Sequence, residues 1–351
     1  LYDRIKNTVL VSGSSDPVSE LESFAKLVPA AIKATHAPGK SAAANDKALK
    51  TTTELLERYR FLAGAAAFKP LAANAGKTEG EWTSIGESAL SLTGGLAPHP
   101  GLSSYLRMAK AYKQSDPVAF NESLRALEVW LERERPADFS SARSEEIFNR
   151  AQPFLSGMTL YVMALLAAFL WWGTRREDIQ SVSLGLLCAA VLVHTLGLGA
   201  RVILQGRPPV TNLYSSAIFV GWVAAVLGLF AERFHKKGFA AAGGALVGFC
   251  SLLVAHHLSG TGDTMEMMRA VLDSNFWLAT HVVTITIGYG ATFLAGVLGI
   301  TWILRLHFVS KHDPETAKAL TGLTYGIIAF SLFFSFVGTV LGGIWADQSW
   351  G

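Results

Sequence analysis

His281 is a side chain whose type and position suit metal chemistry. It lies five residues into an apolar segment that begins at Phe276 and runs for about 29 residues, or about 43 Å of helix at 1.5 Å per residue. A helix of that length projects beyond the hydrocarbon of a bilayer, so we expect His281 near an interface. A neutral imidazole can ligate a metal ion through one ring nitrogen while the other is hydrogen-bonded. A solvated interfacial histidine beside Trp277 is the alternative, and position alone leaves both open.

Two indoles, Trp345 and Trp350, follow the last apolar run, and we expect them beyond the end of its helix, together with Asp347. Indoles in that position commonly form a belt at the membrane interface. They could instead provide a platform for a flat, apolar molecule, because an indole face offers a large area at little entropic cost. Their spacing does not decide between the two.

Two more residues are candidates by position. Arg207 begins a stiff segment, residues 207–214, in which a proline pair fixes the backbone and Asn212 can cap the following helix. Its guanidinium could pair with a ligand carboxylate, although the segment could also be a plain tight connection.

His194 falls near the middle of an apolar run, where an ionisable residue is by default a functional candidate. A neutral histidine bonded to a neighbouring helix is the competing interpretation.

The elements that must position these residues are apolar helices. Half of the chain is hydrophobic, and most of the apolar runs after Pro153 reach the roughly 20 residues that a spanning helix needs. The predicted fold is therefore all-α, a polytopic transmembrane bundle of about six spans preceded by a soluble helical domain. The runs are 154–172, 182–204, 213–230, 239–255, 276–304 and 320–344.

Residues 1–153 are more polar and show helical periodicity, as in Leu21, Phe24 and Val28. Asp116-Pro117 predicts a helix start and Arg135-Pro136 its end. We therefore divide the chain into a helical domain at 1–153 and a membrane domain at 154–351.

Lysine and arginine in the short connections predict the orientation. The cation-rich set marks the cytoplasmic side, which leaves residues 1–153, the 206–212 loop, the 259–275 loop and the C-terminal 345–351 outside. The cation-rich set is Arg175, Arg176, Arg233, Lys236, Lys237, Arg305, Lys311 and Lys318.

Composition argues against several classes of protein. The net charge is only +3 and no basic block is interleaved with aromatic residues, so nothing predicts nucleic-acid binding. The two cysteines, Cys188 and Cys250, lie in separate apolar runs and form neither a disulfide framework nor a CxxC motif. The chain begins at Leu1 and stops just after an aromatic-rich stretch, and we expect it to be part of a longer protein.

Three separated motifs occur in order: GRPPVTNLY at 206–214, NFWLATHV at 275–282 with GYG at 288–290, and GGIWA at 342–346 ending in WG at 350–351. Together they resemble the CcsA/ResC-type haem-handling membrane proteins of system II cytochrome c biogenesis. The resemblance covers roughly residues 150–351. The N-terminal domain looks like the extracytoplasmic segment of members in which a CcsB/ResB-type partner is fused.

The resemblance implies a protein of the inner (cytoplasmic) membrane, with its N-terminal domain in the periplasm. Such a protein carries haem b, bound non-covalently in transit, to the outer face and presents it to the CxxCH thiols of apocytochrome c. His281 matches the first external haem-ligating histidine of the family, and Trp345 and Trp350 match the start of its Trp-rich motif. Arg207 and His194 are our further candidates for contact with haem.

The family's Trp-rich motif continues beyond Gly351, and its second external histidine lies outside this sequence. We therefore expect the chain to be truncated at its C-terminus and to act as part of a cytochrome c synthase only in the complete protein. A transporter subunit without covalent chemistry is the alternative, for which hydropathy and charge bias would serve as well.

Overall fold

A computed structural model describes residues 16–36, 42–65, 69–71, 82–94, 99–260, 264–265, 274–308 and 313–350. Over these residues the chain is helical, and its one extended pairing is an isolated antiparallel bridge between Leu71 and Thr83. The chain divides into two compact units, residues 1–142 and 143–351. The all-α prediction is confirmed.

The first unit is built from amphipathic helices around a small core. Its helices are α1 (Pro17–His36), α2 (Ala42–Ala65), α3 (Ile85–Leu90), α4 (Pro100–Lys113) and α5 (Pro117–Glu134), and α6 (Pro136–Ala151) crosses into the second unit. Leu21, Phe24 and Val28 of α1 are buried, as the predicted periodicity of this helix requires, and Met108 and Leu127 join them in the core.

Side-chain caps fix where these helices begin. The carboxylate of Asp116 accepts the backbone N–H groups of Val118 and Ala119, and Pro117 occupies the first turn of α5, where a missing N–H costs nothing. Arg135 follows the last residue of α5, so both predicted ends of this helix are confirmed.

Among its described residues, the second unit contains six helices that are long and apolar enough to cross a membrane, which agrees with the prediction of about six spans. They are α7 (Pro153–Thr174), α8 (Glu177–Gln205), α9 (Leu213–His235), α10 (Phe239–Ser259), α11 (Asn275–Phe308) and α12 (Pro314–Trp350). Neighbours in sequence pack as pairs, α7 on α8, α9 on α10 and α11 on α12, while α10 also packs on α7 and α9 on α11.

The last helix corrects one expectation. Trp345 and Trp350 were expected beyond it, but α12 is 37 residues long and contains both. The apolar run stops at Ile344, yet the residues that follow contain neither proline nor glycine before Gly351, so the helical hydrogen bonding continues past the apolar run. At 1.5 Å per residue α12 is about 56 Å long, well above the roughly 30 Å of hydrocarbon.

Small residues let the helix axes approach closely. A Cβ on Gly228 would lie 2.5 Å from the carbonyl oxygen of Ala240, and one on Gly244 would lie 2.9 Å from that of Ala224. Helix association in a membrane depends on such close packing, because burying apolar surface gains little there. These contacts fix the register of α9 against α10.

We name the two ends of this bundle by one residue each. The His281 end comprises the 206–212 loop, the start of α11 and the end of α12; the Lys236 end comprises residues 175–176, residues 236–238, the end of α11 and the start of α12. At the His281 end the predicted cap is confirmed, because the Asn212 side chain accepts the backbone N–H of Ser215 at 2.8 Å. The side of the membrane that each end faces stays a prediction.

Candidate functional site

His281 lies in an irregular turn at the beginning of α11. Residues Leu278–Val282 form a π-helical turn, after which Val283–Phe308 continue as a regular α-helix. π-Turns inside α-helices are rare and frequently occur at functional sites, because they change the direction in which a side chain points. The turn directs the His281 ring towards α12.

A hydrogen bond selects the tautomer of the neutral His281 ring. Nδ1 lies 2.8 Å from the carbonyl oxygen of Gly338 on α12. A carbonyl oxygen can only accept, so Nδ1 carries the hydrogen, and in the neutral ring Nε2 holds the lone pair. The hydrogen bond that the described residues make with this ring is at Nδ1. This is the form in which a histidine ligates a metal, with its second nitrogen bonded to a carbonyl.

Glycines on α12 make room for the ring. A Cβ on Gly342 would lie 2.6 Å from Cε1 of His281, and one on Gly338 would lie 2.8 Å from the Cα of Ile285. The two glycines are four residues apart and so share one face of the helix. Their lack of side chains brings the Gly338 carbonyl within reach of the imidazole.

Aromatic rings continue the site beyond His281. Trp277 and Trp345 are stacked, with centroids 6.3 Å apart and an interplanar angle of 15°, and the Trp345 ring lies 5.6 Å from that of His281. Trp277 was not among the residues predicted for the site. It precedes His281 by four residues, a spacing that would place both side chains on one face of a regular α-helix, so the sequence contained a signal for it.

Trp350 does not join this stack. It lies five residues after Trp345, which corresponds to about 140° around the helix and about 7.5 Å along it. Its side chain is 70% exposed, and no described ring contacts it. The paired indoles of the site are Trp277 and Trp345, whereas Trp345 and Trp350 face different directions.

Arg207 lies at the same end of the bundle and contacts the helix that carries His281. Its Nη1 donates to Oδ1 of Asn275 at 3.2 Å, two residues before Trp277. The contact links the 206–212 loop to the start of α11. A guanidinium has five N–H donors in a planar fork and pairs with carboxylates as well as with amide oxygens.

His194 lies apart from this group. Its side chain is fully buried in the bundle, Nδ1 lies 3.0 Å from the Tyr161 hydroxyl on α7, and Phe154 and Tyr161 pack edge-on against its ring. The hydrogen bond to a neighbouring helix agrees with the structural interpretation of this residue. No described contact joins His194 to His281, and its part in haem binding stays a prediction.

The chemistry open to this arrangement is narrow. Within the described residues, no group of three or more His, Cys, Asp or Glu side chains could hold a metal ion. A bare ion such as Zn²⁺ takes four ligands in a structural site, or three in a catalytic one, so a single imidazole does not suffice. A metal that brings its own planar ligands needs only an axial imidazole and a flat apolar wall. His281, Trp277 and Trp345 match that requirement.

Comparison with known proteins gives a family for the part of the chain that holds this site. Residues 210–351 match the family described as cytochrome C assembly protein. The match includes His281, both indoles of the stack and Trp350, but begins after Arg207 and His194.

Individual relatives agree with that match. Protein NrfI of Wolinella succinogenes is 30% identical over 223 residues, which cover 60% of this chain and 24% of NrfI. Cytochrome c biogenesis protein CcsA of Trieres chinensis is 25% identical over 56% of this chain and 72% of its own length. CcsA of Chlamydomonas reinhardtii is 29% identical over 42% of this chain and 43% of its own length. The chain thus spans about a quarter of NrfI and from less than half to about three quarters of these CcsA proteins.

Proposed function

We propose that this CcsA-type cytochrome c biogenesis protein, whose residues 210–351 match the cytochrome c assembly family, binds haem b at His281 and presents it for attachment to apocytochrome c. The observation that carries the proposal is the hydrogen bond from Nδ1 of His281 to the Gly338 carbonyl. It leaves Nε2 with a lone pair, as axial ligation of iron requires.

We assign each residue of the site a separate task. His281 supplies one axial nitrogen, and the stacked Trp277 and Trp345 form an apolar wall beside it. Arg207 would bind a propionate at the same end of the bundle, because a guanidinium pairs with a carboxylate through two parallel hydrogen bonds. Trp350, which is exposed, would contact the part of haem or apocytochrome c that lies further from the bundle.

The reaction that follows from this arrangement is an addition. Each CxxCH thiol of apocytochrome c adds its sulfur to one vinyl carbon and its hydrogen to the next. The S–H bond and the π bond of the vinyl group are broken, a C–S bond and a C–H bond form, and no oxidant is consumed. The protein's share is to hold the macrocycle in one orientation while its vinyl edge stays accessible. Restricting the reactants in this way can supply much of the rate enhancement.

The surroundings of the site are part of the proposal. We place the His281 end on the periplasmic side of the inner membrane, because the Lys236 end carries more cations in its short connections. We also propose that a CcsB/ResB-type partner or fused segment completes the synthase.

The test is the visible absorption spectrum of the purified protein and of its His281→Ala variant, each in detergent without added haem. We expect a haem band in the parent protein that weakens or shifts in the variant and recovers with added imidazole, because imidazole can replace the missing ligand. The matched control is His257→Ala, since His257 is an exposed histidine at the His281 end with no described contact to the site.

Three results would contradict the proposal. An unchanged band in His281→Ala would remove the ligand assignment. An equal loss in His257→Ala would point to a general effect of losing a histidine at this end. No band in either protein would favour a transporter without haem chemistry. A reporter cytochrome c, stained for covalent haem, then shows whether loss of the band is accompanied by loss of attachment.

A further inference from the structure

The Lys236 end of the second unit, opposite to His281, contains a large cleft. It has a volume of about 870 Å³ and lies between α7, α10 and α11. Its wall is mostly apolar and includes Leu165, Phe169, Phe239, Leu246, Val297 and Ile300. The volume lies within the range of about 300–1,000 Å³ that is usual for small-molecule sites.

The depth of the cleft matches one leaflet of a bilayer. Lining residues extend along α7 from Leu165 to Arg175, which follows its last residue, from Phe239 to Leu246 on α10 and from Val297 to Phe308 on α11. At 1.5 Å per residue these stretches rise by about 10–16 Å. Half of a hydrocarbon core of about 30 Å is about 15 Å, so the apolar part can accept an acyl chain from one leaflet.

Cations surround the mouth of the cleft. Arg175, Lys236, Lys237 and Arg305 all line it. None of the four makes an ion pair with a carboxylate in the part of the chain that the structure describes. The Arg305 guanidinium lies 5.7 Å from the centre of the Phe239 ring, which places it over an apolar wall of the cleft. Such a mouth is complementary to an anion attached to an apolar chain.

The described lining of the cleft contains one carboxylate, that of Asp313, beside the four cations. It accepts the backbone N–H groups of Glu315 and Thr316 at 3.1 and 3.3 Å, and it also accepts the Thr316 hydroxyl. Asp313 therefore caps the start of α12, and these hydrogen bonds, the Thr316 hydroxyl first, together with the nearby charge of Lys237 hold its carboxyl pKa below the usual value. One carboxylate against four cations leaves the mouth of the cleft positively charged.

We infer that this cleft binds an anionic phospholipid, with the phosphate at the cationic mouth and an acyl chain in the apolar part. Basic pockets between transmembrane helices are known to hold anionic lipid headgroups. Cation-rich connections lie on the cytoplasmic side of a membrane, and the cytoplasmic leaflet is the one that carries anionic lipids. The inference rests on the cleft and its charges, and it is independent of the haem proposal.

The test is titration of the purified protein with dioleoylphosphatidylglycerol and dioleoylphosphatidylcholine, with bound lipid counted by native mass spectrometry. The acyl chains are identical, so a difference in affinity comes from the headgroup. The test variant carries Lys236→Gln, Lys237→Gln and Arg305→Gln. Each cation near an anionic headgroup strengthens binding by a factor of about five, so three cations strengthen it about a hundredfold. We expect the variant to lose at least about tenfold of the preference for phosphatidylglycerol over phosphatidylcholine.

The matched control carries Arg176→Gln, Arg233→Gln and Lys318→Gln. These residues are exposed cations at the same end that do not line the cleft, so the control changes the net charge and the charge bias across the membrane equally. If the test variant does not fold, Leu304→Trp replaces it, because this lining residue is half exposed and a larger side chain would fill the cleft.

We expect the parent protein and the control to retain phosphatidylglycerol, and both cleft variants to lose it. Equal affinity for the two lipids in the parent protein would overturn the inference, as would equal losses in the control and the test variant. Displacement of the lipid by one equivalent of iron protoporphyrin would overturn the lipid assignment and indicate that the cleft binds haem.

Discussion

Gly342 offers a direct test of the proposed site through one added methyl group. A Cβ at this position would lie 2.6 Å from Cε1 of His281, 3.0 Å from Nδ1 and 3.2 Å from Nε2. A Cβ on the neighbouring Gly343 would meet no heavy atom within 4 Å. Both glycines lie within α12, so alanine at either position raises helix propensity by the same amount, about 0.5–1 kcal/mol. Gly342→Ala and Gly343→Ala therefore differ chiefly in the contact with His281.

The size of the difference follows from that contact. Adding a methyl group to a well-packed site costs about 1–3 kcal/mol, and a ring that moves away also loses its 2.8 Å hydrogen bond to Gly338, worth about 0.5–1.5 kcal/mol. We expect Gly342→Ala to be less stable than Gly343→Ala by about 1–3 kcal/mol in free energy of unfolding. If the His281 ring moves and relieves the clash, the same amount, about 1–3 kcal/mol, is lost from haem binding, and haem affinity should fall by about 5- to 150-fold.

The assay measures the ratio of haem to protein absorbance for both variants after purification, and their unfolding in the same detergent. Imidazole should restore the haem band of Gly342→Ala, because the defect is a misplaced ligand. If the two variants have equal haem content and equal stability, His281 does not pack against Gly342, and the argument for its orientation fails.

Three further predictions concern other contacts. Trp277→Ala should lower haem content by about two- to tenfold without moving the absorption band, because an aromatic pair contributes about 0.5–1.5 kcal/mol while the axial ligand remains; a shifted band would contradict this. Tyr161→Phe should lower the free energy of unfolding by about 1–3 kcal/mol, because it leaves a buried nitrogen of His194 unpaired; calorimetry showing no change would refute it. Lys110 donates to Asp16 at 2.7 Å and thereby holds the carboxyl pKa below its ordinary value of 3.8. The stability from this pair is present above that value and lost as the pH falls through the lower folded-state pKa, so Lys110→Met should destabilise the protein at pH 7 and progressively less as the pH falls below 3.8; an effect that does not change with pH would exclude the linkage.

The spans were predictable because a bilayer imposes one simple requirement on each helix. Apolar runs of sufficient length identified all six, and the match of residues 210–351 confirms the family resemblance that the motifs indicated. The end of α12 was not predictable in the same way. Hydropathy locates the apolar part of a helix, whereas its end depends on backbone hydrogen bonds that continue to Trp350.

The sequence predicted which residues form the site better than it predicted the contacts between them. His281 and Trp345 were identified from their positions, yet the hydrogen bond to Gly338 joins residues that are 57 positions apart. It depends on the register of α11 against α12, which is set by close contacts at small residues such as Gly338. No local pattern contains that register, and so the choice between Trp277 and Trp350 as the partner of Trp345 could not be made from spacing.

The acceptor that orients His281 belongs to the main chain. An exchange of the side chain at residue 338 cannot delete that acceptor; it can only push the two helices apart. Mutational tolerance at this position should therefore follow side-chain volume and not polarity, with alanine and serine both failing for the same steric reason. A search for polar partners of metal-binding histidines in membrane proteins would overlook such sites, whereas a search for paired glycines facing a histidine on the next helix would find them.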